Sequence, residues 1–272
     1  MSGDTEDRAA TVAKRVPEGA DPNRPNAARV YNYMLGGKDN YEVDQLFAHR
    51  MLAVAPDTRT TAWFSRRFLL RAVEMAARAG VRQFIDIGAG IPISPNVHEV
   101  AQEIEPTARV VAVDYDPVVH VHANALLASS PGVTSMLGDI RQPDIIIERL
   151  RSEQLIDFDQ PVAILIVGVL HYVMDDEDPA GIVARLRDEL APGSYLAFTH
   201  GSVDTHEDFI AQSSDTTAGS SSQPRYRTGD EVSRLLDGFD LLEPGVVPVQ
   251  DWLDDDLPST NLVLLGGIGR KR

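Results

Sequence analysis

The sequence predicts a doubly wound α/β fold built on a parallel sheet. Three observations carry that expectation. From residue 83 onward, strand and helix patterns alternate. The fourth strand, PVAILIVGVL (161–170), is apolar throughout, as a central strand covered on both faces must be. Gln83 to Gly90, QFIDIGAG, reads as a buried strand ending in an acidic residue and two glycines. Such a turn lets backbone approach a ligand at the carboxyl edge of a parallel sheet.

A chain of 272 residues with 43% apolar and 24% charged residues can bury a full core. Its formal charge of −16 leaves no basic surplus to displace counterions, which disfavours nucleic acid as the main partner. The absence of cysteine excludes disulfides, thiolate nucleophiles and zinc–thiolate sites. The polar N-terminus shows no apolar h-region and no apolar run reaches membrane-spanning length, so a cytoplasmic location is expected.

Residues 1–26 are polar, with three prolines, and read as a flexible arm. A helical segment over 27–80 follows. Within it Tyr31, Tyr33 and Tyr41 surround the turn Gly36-Gly37-Lys38-Asp39-Asn40, either as a binding surface or as packing for a helix–turn–helix. Thr60 to Ala79 is amphipathic: Phe64, Phe68 and Met75 share a face opposite Arg67, Arg71 and Arg78, and Gly80 stops the helix.

The core spans 81–272. Strand one is 83–87, and Ser94-Pro95 is expected to start the next helix, to about 105. Strand two is 109–114, with Asp116-Pro117 capping its helix. Strand three is 133–137, with a helix near 143–152. Asp178-Pro179 caps the helix after strand four, and strand five is 194–200. Residues 213–224 (SSDTTAGSSSQP) read as a mobile loop. Thr228-Gly-Asp-Glu231 is a capping box, and FDLLEP and NLVLLGGIG supply two final strands.

Acidic residues end three successive strands. Asp86 precedes Gly88-Ala89-Gly90, where a dinucleotide fold carries an apolar residue, and Ile93 stands where the third fingerprint glycine would be. Asp86 either binds the ammonium of a ligand or bonds nearby loop amides. Asp114 is placed to accept ribose hydroxyls, Tyr115 either lies against an adenine face or is simply exposed, and Asp116 serves as a helix cap. Asp139, followed by Ile140, suits an adenine amine or simply forms a turn. Gly168 opens the end of strand four, where His171 is either structural or a general base; His200 ranks behind it.

With these motifs the chain resembles class I S-adenosylmethionine-dependent methyltransferases, and within them a bacterial S-adenosyl methyltransferase family formerly known as a domain of unknown function. The resemblance rests on RVYNYMLGGKDNYEVD (29–44), RQFIDIGAGIP (82–92), NVHEVAQ (96–102), VVAVDYDPVV (110–119), VLHYV (169–173), DPAGIVARLRD (178–188) and YRTGDEV…EPGVVPV. It implies a Rossmann-like sheet, mostly parallel with an antiparallel last strand, and S-adenosylmethionine as cofactor. It implies too that Tyr33, Asp39 and Tyr41 belong to an N-terminal lid. Asp86, Gly88, Ala89 and Gly90 would meet the methionyl part, its carboxylate near backbone N–H groups. Asp114, Tyr115, Asp139, Ile140 and Gly168 would complete the cofactor site, with His171 as base. Pro92 replaces the third glycine of the broader motif, and the Asp/Asn-Pro-Pro-Tyr signature is absent, which argues against DNA bases. The expected acceptor is a small molecule; the rival reading is a non-catalytic cofactor-binding module.

Overall fold

The computed structural model describes residues 25–127, 129–217, 223–253 and 256–272. Three helices come first: α1 (Ala27–Met34), α2 (Glu42–Val54) and α3 (Thr58–Arg78). Then β1 (Gln83–Ile87), α4 (Val97–Ile104), β2 (Arg109–Asp114), α5 (Pro117–Leu127), β3 (Val133–Leu137) and α6 (Pro143–Ser152) alternate. After β4 (Ala163–Ile166) come two 3-10 turns, Leu170–Tyr172 and Asp175–Glu177, then α7 (Pro179–Glu189) and β5 (Tyr195–Gly201). The remainder comprises α8 (Glu207–Thr217), α9 (Gly229–Arg234), β6 (Asp240–Leu241), β7 (Val247–Pro248), a 3-10 turn Val249–Trp252 and β8 (Leu264–Arg270).

The strand order is β3-β2-β1-β4-β5-β8-β6, with β7 also paired to β8. The first five of these strands are parallel, and β8 runs antiparallel to β5, as expected. Strand order reverses between β1 and β4, so the carboxyl end of β1 stands at the switch point where such sheets take ligands.

Alternation along each strand sorts the core into two layers. Ile85, Ile87, Val111, Val113, Ile164 and Ile166 face α6, α7 and α9. Phe84, Val110, Ala163 and Leu165 face α3 and α4. Asp86, two residues beyond Phe84, therefore projects on the α3 side of the sheet. A third cluster joins Met34, Ala48, Met51 and Ala62 of the N-terminal helices to Phe209 of α8 and Ile93 after β1.

Three expectations change. Helix α4 starts at Val97, not Pro95, because Asn96 and Glu99 form the capping box and the Glu99 carboxylate also accepts from Ser94 Oγ at 3.0 Å. Strand four stops at Ile166: Gly168 turns at φ +76° and donates its N–H to Thr199 Oγ1 at 2.8 Å instead of continuing the ladder. Residues 213–217 end α8, where the Ser213 and Thr217 hydroxyls bond back to the carbonyls of Ile210 and Ser213. Residues 1–24 of the expected arm and 218–222 of the expected loop lie outside the described residues.

Candidate active site

Two left-handed glycines shape the switch point. Gly88 (φ +74°) and Ala89 donate their N–H groups to Val113 O at 2.7 and 3.2 Å, and Gly90 (φ +66°) donates to Asp114 Oδ2 at 2.9 Å. The turn therefore locks β1 to β2. Its N–H groups are engaged within the protein, so the glycines offer close backbone approach rather than free donors for a carboxylate. A Cβ at Gly88 would overlap Val169, whereas at Gly90 or Gly168 it would meet no atom within 4 Å.

Asp86 and Asp114 lie next to this turn, each 7% exposed. Asp114 accepts one backbone N–H on each oxygen, from Gly90 and, at 3.0 Å, from Asp116. Burial nonetheless lifts its pKa to about 6. Asp86 accepts no hydrogen bond among the described residues, so the loop-amide alternative is not realised. Burial raises its pKa to about 7; the Arg66 charge opposes this and Asp114 adds to it. A buried carboxylate without a donor is the arrangement that a cationic ligand compensates.

The N-terminal segment covers this edge through Asp44, which is fully buried. Asp44 accepts from Arg29 Nε at 2.7 Å, Asn26 N at 2.9 Å and Tyr41 N at 2.8 Å. The Asn26 amide in turn bonds Asp116, whose other oxygen caps α5 at Val118 N. Asn32 Oδ1 receives Asp39 N and Asn40 Nδ2, shaping the glycine turn, and Asp39 stands 3.9 Å from His122 of α5. Tyr41 lies under the Arg29 guanidinium. Tyr33 points elsewhere: its hydroxyl meets His49 Nε2 at 2.7 Å and its ring meets Arg59. Residues two apart occupy opposite faces of a helix, and it is Tyr31 that turns inward, bonding Ala62 O and feeling the charges of Arg66 and Asp86.

Just beyond β3, Asp139 behaves as a turn former. Its Oδ1 accepts Arg141 N at 3.0 Å, and the Arg141 guanidinium grips both oxygens before reaching the buried Glu177 at 3.4 Å. Ile140 is buried beside it.

His171 sits on the 3-10 turn after β4, its ring 4.2 Å from Tyr172 and 6.1 Å from His200. Its Nδ1 is buried and meets no partner among the described residues. Burial, then His200 and the Arg227 charge, depress its pKa to about 3, so the imidazole is neutral. Burial, followed by the phenols of Tyr226, Tyr115 and Tyr31, holds Tyr172 above the ordinary tyrosine range. Tyr172, which these three phenols influence, is thus the tyrosine that lies against His171. His200 is fully committed: Nδ1 donates to Gly201 O at 2.9 Å and Nε2 accepts from Arg227 Nη1 at 2.7 Å. A carbonyl only accepts and a guanidinium only donates, so this tautomer is fixed. Arg227 also donates to Val173 O at 3.0 Å and Asp175 Oδ1 at 2.7 Å, bracing the His171 turn.

Sequence reasoning missed Arg66 and Arg227. Arg66 hides in an arginine-rich helix, and Arg227 carries no motif beyond the YRTGDEV segment.

Comparison with known proteins decides the family. Residues 13–272 match the S-adenosyl methyltransferase family. The chain belongs to that family. A crystal structure from Thermobifida fusca YX, of a protein proposed to be a methyltransferase, is 38% identical, with 92% of this chain and 96% of that one covered and a TM-score of 0.84. A DUF574 family protein from Streptomyces avermitilis MA-4680 is 35% identical over 93% of this chain and 99% of its own, with a TM-score of 0.87. The N-methyltransferase NodS from Bradyrhizobium japonicum WM9, solved with S-adenosyl-L-homocysteine, shares the fold at 14% identity, 89% and 98% coverage and a TM-score of 0.50. None of the curated proteins compared with the chain matches it. As a member of the S-adenosyl methyltransferase family the protein is an S-adenosylmethionine-dependent methyltransferase. Asp86, unpaired among the described residues, the acidic end of β2 and the uncrowded Gly90 and Gly168 fit that cofactor.

Proposed function

We propose that this methyltransferase acts on a small-molecule acceptor. The observation that carries the cofactor side of the reading is the Asp86 carboxylate, buried without a hydrogen-bond donor among the described residues and next to the Gly90–Asp114 link. Asp86 would hold the methionyl ammonium, and Gly88, Ala89, Gly90 and Gly168 would admit the chain of the cofactor. Asp114 retains acceptor capacity on each oxygen for ribose hydroxyls. Tyr115 and Ile140 would flank the adenine, with Asp139 at its amine edge, its charge shared with Arg141.

When bound, S-adenosylmethionine supplies an activated sulfonium methyl group, so the protein's tasks are approach geometry and exclusion of water. The segment carrying Asp39 and Tyr41 serves as a lid held through Asp44 and Asp116, with Tyr33 bracing α1 against α2 from behind. His171, on the 3-10 turn beside Tyr172, would orient the acceptor group. A neutral imidazole of such low basicity suits orientation better than storage of a proton. Tyr172 against His171 and the net charge of −16 favour a compact organic acceptor over a nucleic acid.

Calorimetric titration with S-adenosylmethionine, S-adenosylhomocysteine and NAD tests the cofactor site. Binding of both sulfur nucleosides, lost in Asp114→Ala and absent for NAD, is expected. Binding of NAD alone overturns the reading.

A further inference from the structure

Among the described residues, one cation at the switch point has donors to spare. Arg66 of α3 is half-buried and uses only Nη2, which donates to Ile93 O at 2.6 Å and Pro95 O at 2.7 Å on the segment following the glycine turn. Its Nη1 and Nε make no hydrogen bond among the described residues. Its charge acts on both Asp86 and the Tyr31 phenol, while its hydrogen bonds among the described residues go to Ile93 O and Pro95 O and not to Asp86. Alternation along β1 sends Asp86 toward the α3 side, so the two opposite charges share one face without neutralising each other. The backbone donors that might otherwise take a ligand carboxylate are engaged at Val113 and Asp114.

We propose that Arg66 and Asp86 are the two poles of an α-amino-acid subsite, Arg66 taking the carboxylate and Asp86 the ammonium of the methionyl part of the cofactor. The assignment rests on the cofactor reading above and adds a residue that carries no motif. A guanidinium whose Nη1 and Nε donors are unused can give a carboxylate one charge-assisted hydrogen bond, and its Nη2 hold on Ile93 and Pro95 fixes where those donors point.

The test compares S-adenosylhomocysteine with its decarboxylated analogue, which keeps the ammonium and lacks the carboxylate, by calorimetry on the full chain. Wild type is expected to prefer S-adenosylhomocysteine by about 10- to 100-fold, the range of one charge-assisted contact. Arg66→Met should erase that preference while binding the decarboxylated analogue within about threefold of wild type, and Arg66→Lys should restore part of it. Equal weakening of both ligands in Arg66→Met would reduce Arg66 to a brace for the loop and overturn the proposal. So would a wild type that binds the two ligands equally. A wild type that binds neither would instead remove the cofactor reading, and this proposal with it.

Discussion

Gly90 donates its backbone N–H to Asp114 Oδ2 at 2.9 Å, which makes the turn after β1 and the acidic end of β2 one unit. Asp114 is thereby oriented before any ligand arrives, and the turn is held where a Cβ at Gly90 would meet no atom.

The two left-handed glycines should respond differently to alanine. At Gly88 the added methyl adds overlap with Val169 to an unfavourable φ, and a loss of about 2–4 kcal/mol in urea unfolding is expected. At Gly90 only the backbone term applies, about 1–2 kcal/mol, while calorimetry should show the larger loss in S-adenosylhomocysteine affinity. Equal destabilisation of the two variants would contradict this.

Asp86 should make stability and binding depend on pH in opposite directions. Its pKa is about 7 in the fold against 3.8 when unperturbed, so the folded state holds the extra proton between those values. Its contribution to stability is therefore lost as pH rises from about 4 to 7. Asp86→Asn should be the more stable protein at pH 8, by about 2–4 kcal/mol, and should bind S-adenosylhomocysteine more weakly. Wild-type affinity should climb between about pH 6 and 8 as the carboxylate ionises against the ammonium, with Arg66, Asp114 and Tyr31 as its neighbours. A flat affinity profile would remove Asp86 from the ammonium.

The histidines carry the opposite sign. His171 and His200 are depressed to about 3 and about 4, so the unfolded chain binds the extra protons below pH 6.5. Their contribution is whole above pH 6.5 and fades as pH falls toward 4. In thermal melts, His200→Gln should flatten the acid limb. His171→Ala should leave S-adenosylhomocysteine affinity within about threefold while turnover falls by about 100-fold or more. Unchanged turnover would exclude His171 from the mechanism.

Arg141→Met should destabilise the protein by about 3–5 kcal/mol, because it removes the buried cation paired with the Glu177 carboxylate, 1% exposed, and with Asp139. Denaturant unfolding of this variant against Arg141→Lys separates loss of charge from loss of the two-oxygen grip.

The strand–helix alternation and the positions of Asp86, Asp114 and Asp139 were legible because buried strands are continuous apolar runs and their ends are marked by glycine or a cap. The boundary at Val97 was not, since Ser94-Pro95 and Asn96-x-x-Glu99 are both acceptable starts and only the actual capping bonds choose between them. Serine and threonine in 213–217 read as a loop although their hydroxyls bond back within a helix.

Sequence by itself determined the sheet, its switch point and the chemistry of the strand ends, because these follow from local periodicity and local turn chemistry. Only the tertiary structure decided which polar groups remain unspent. It turned Tyr31 rather than Tyr33 inward, tied Asp139 to Arg141, committed both nitrogens of His200 and left Asp86 without a donor among the described residues. The physical reason is that a side chain's availability depends on partners distant in the chain. Arg66 stands 20 residues before Asp86 and Arg227 lies 56 after His171, and no local pattern specifies such meetings.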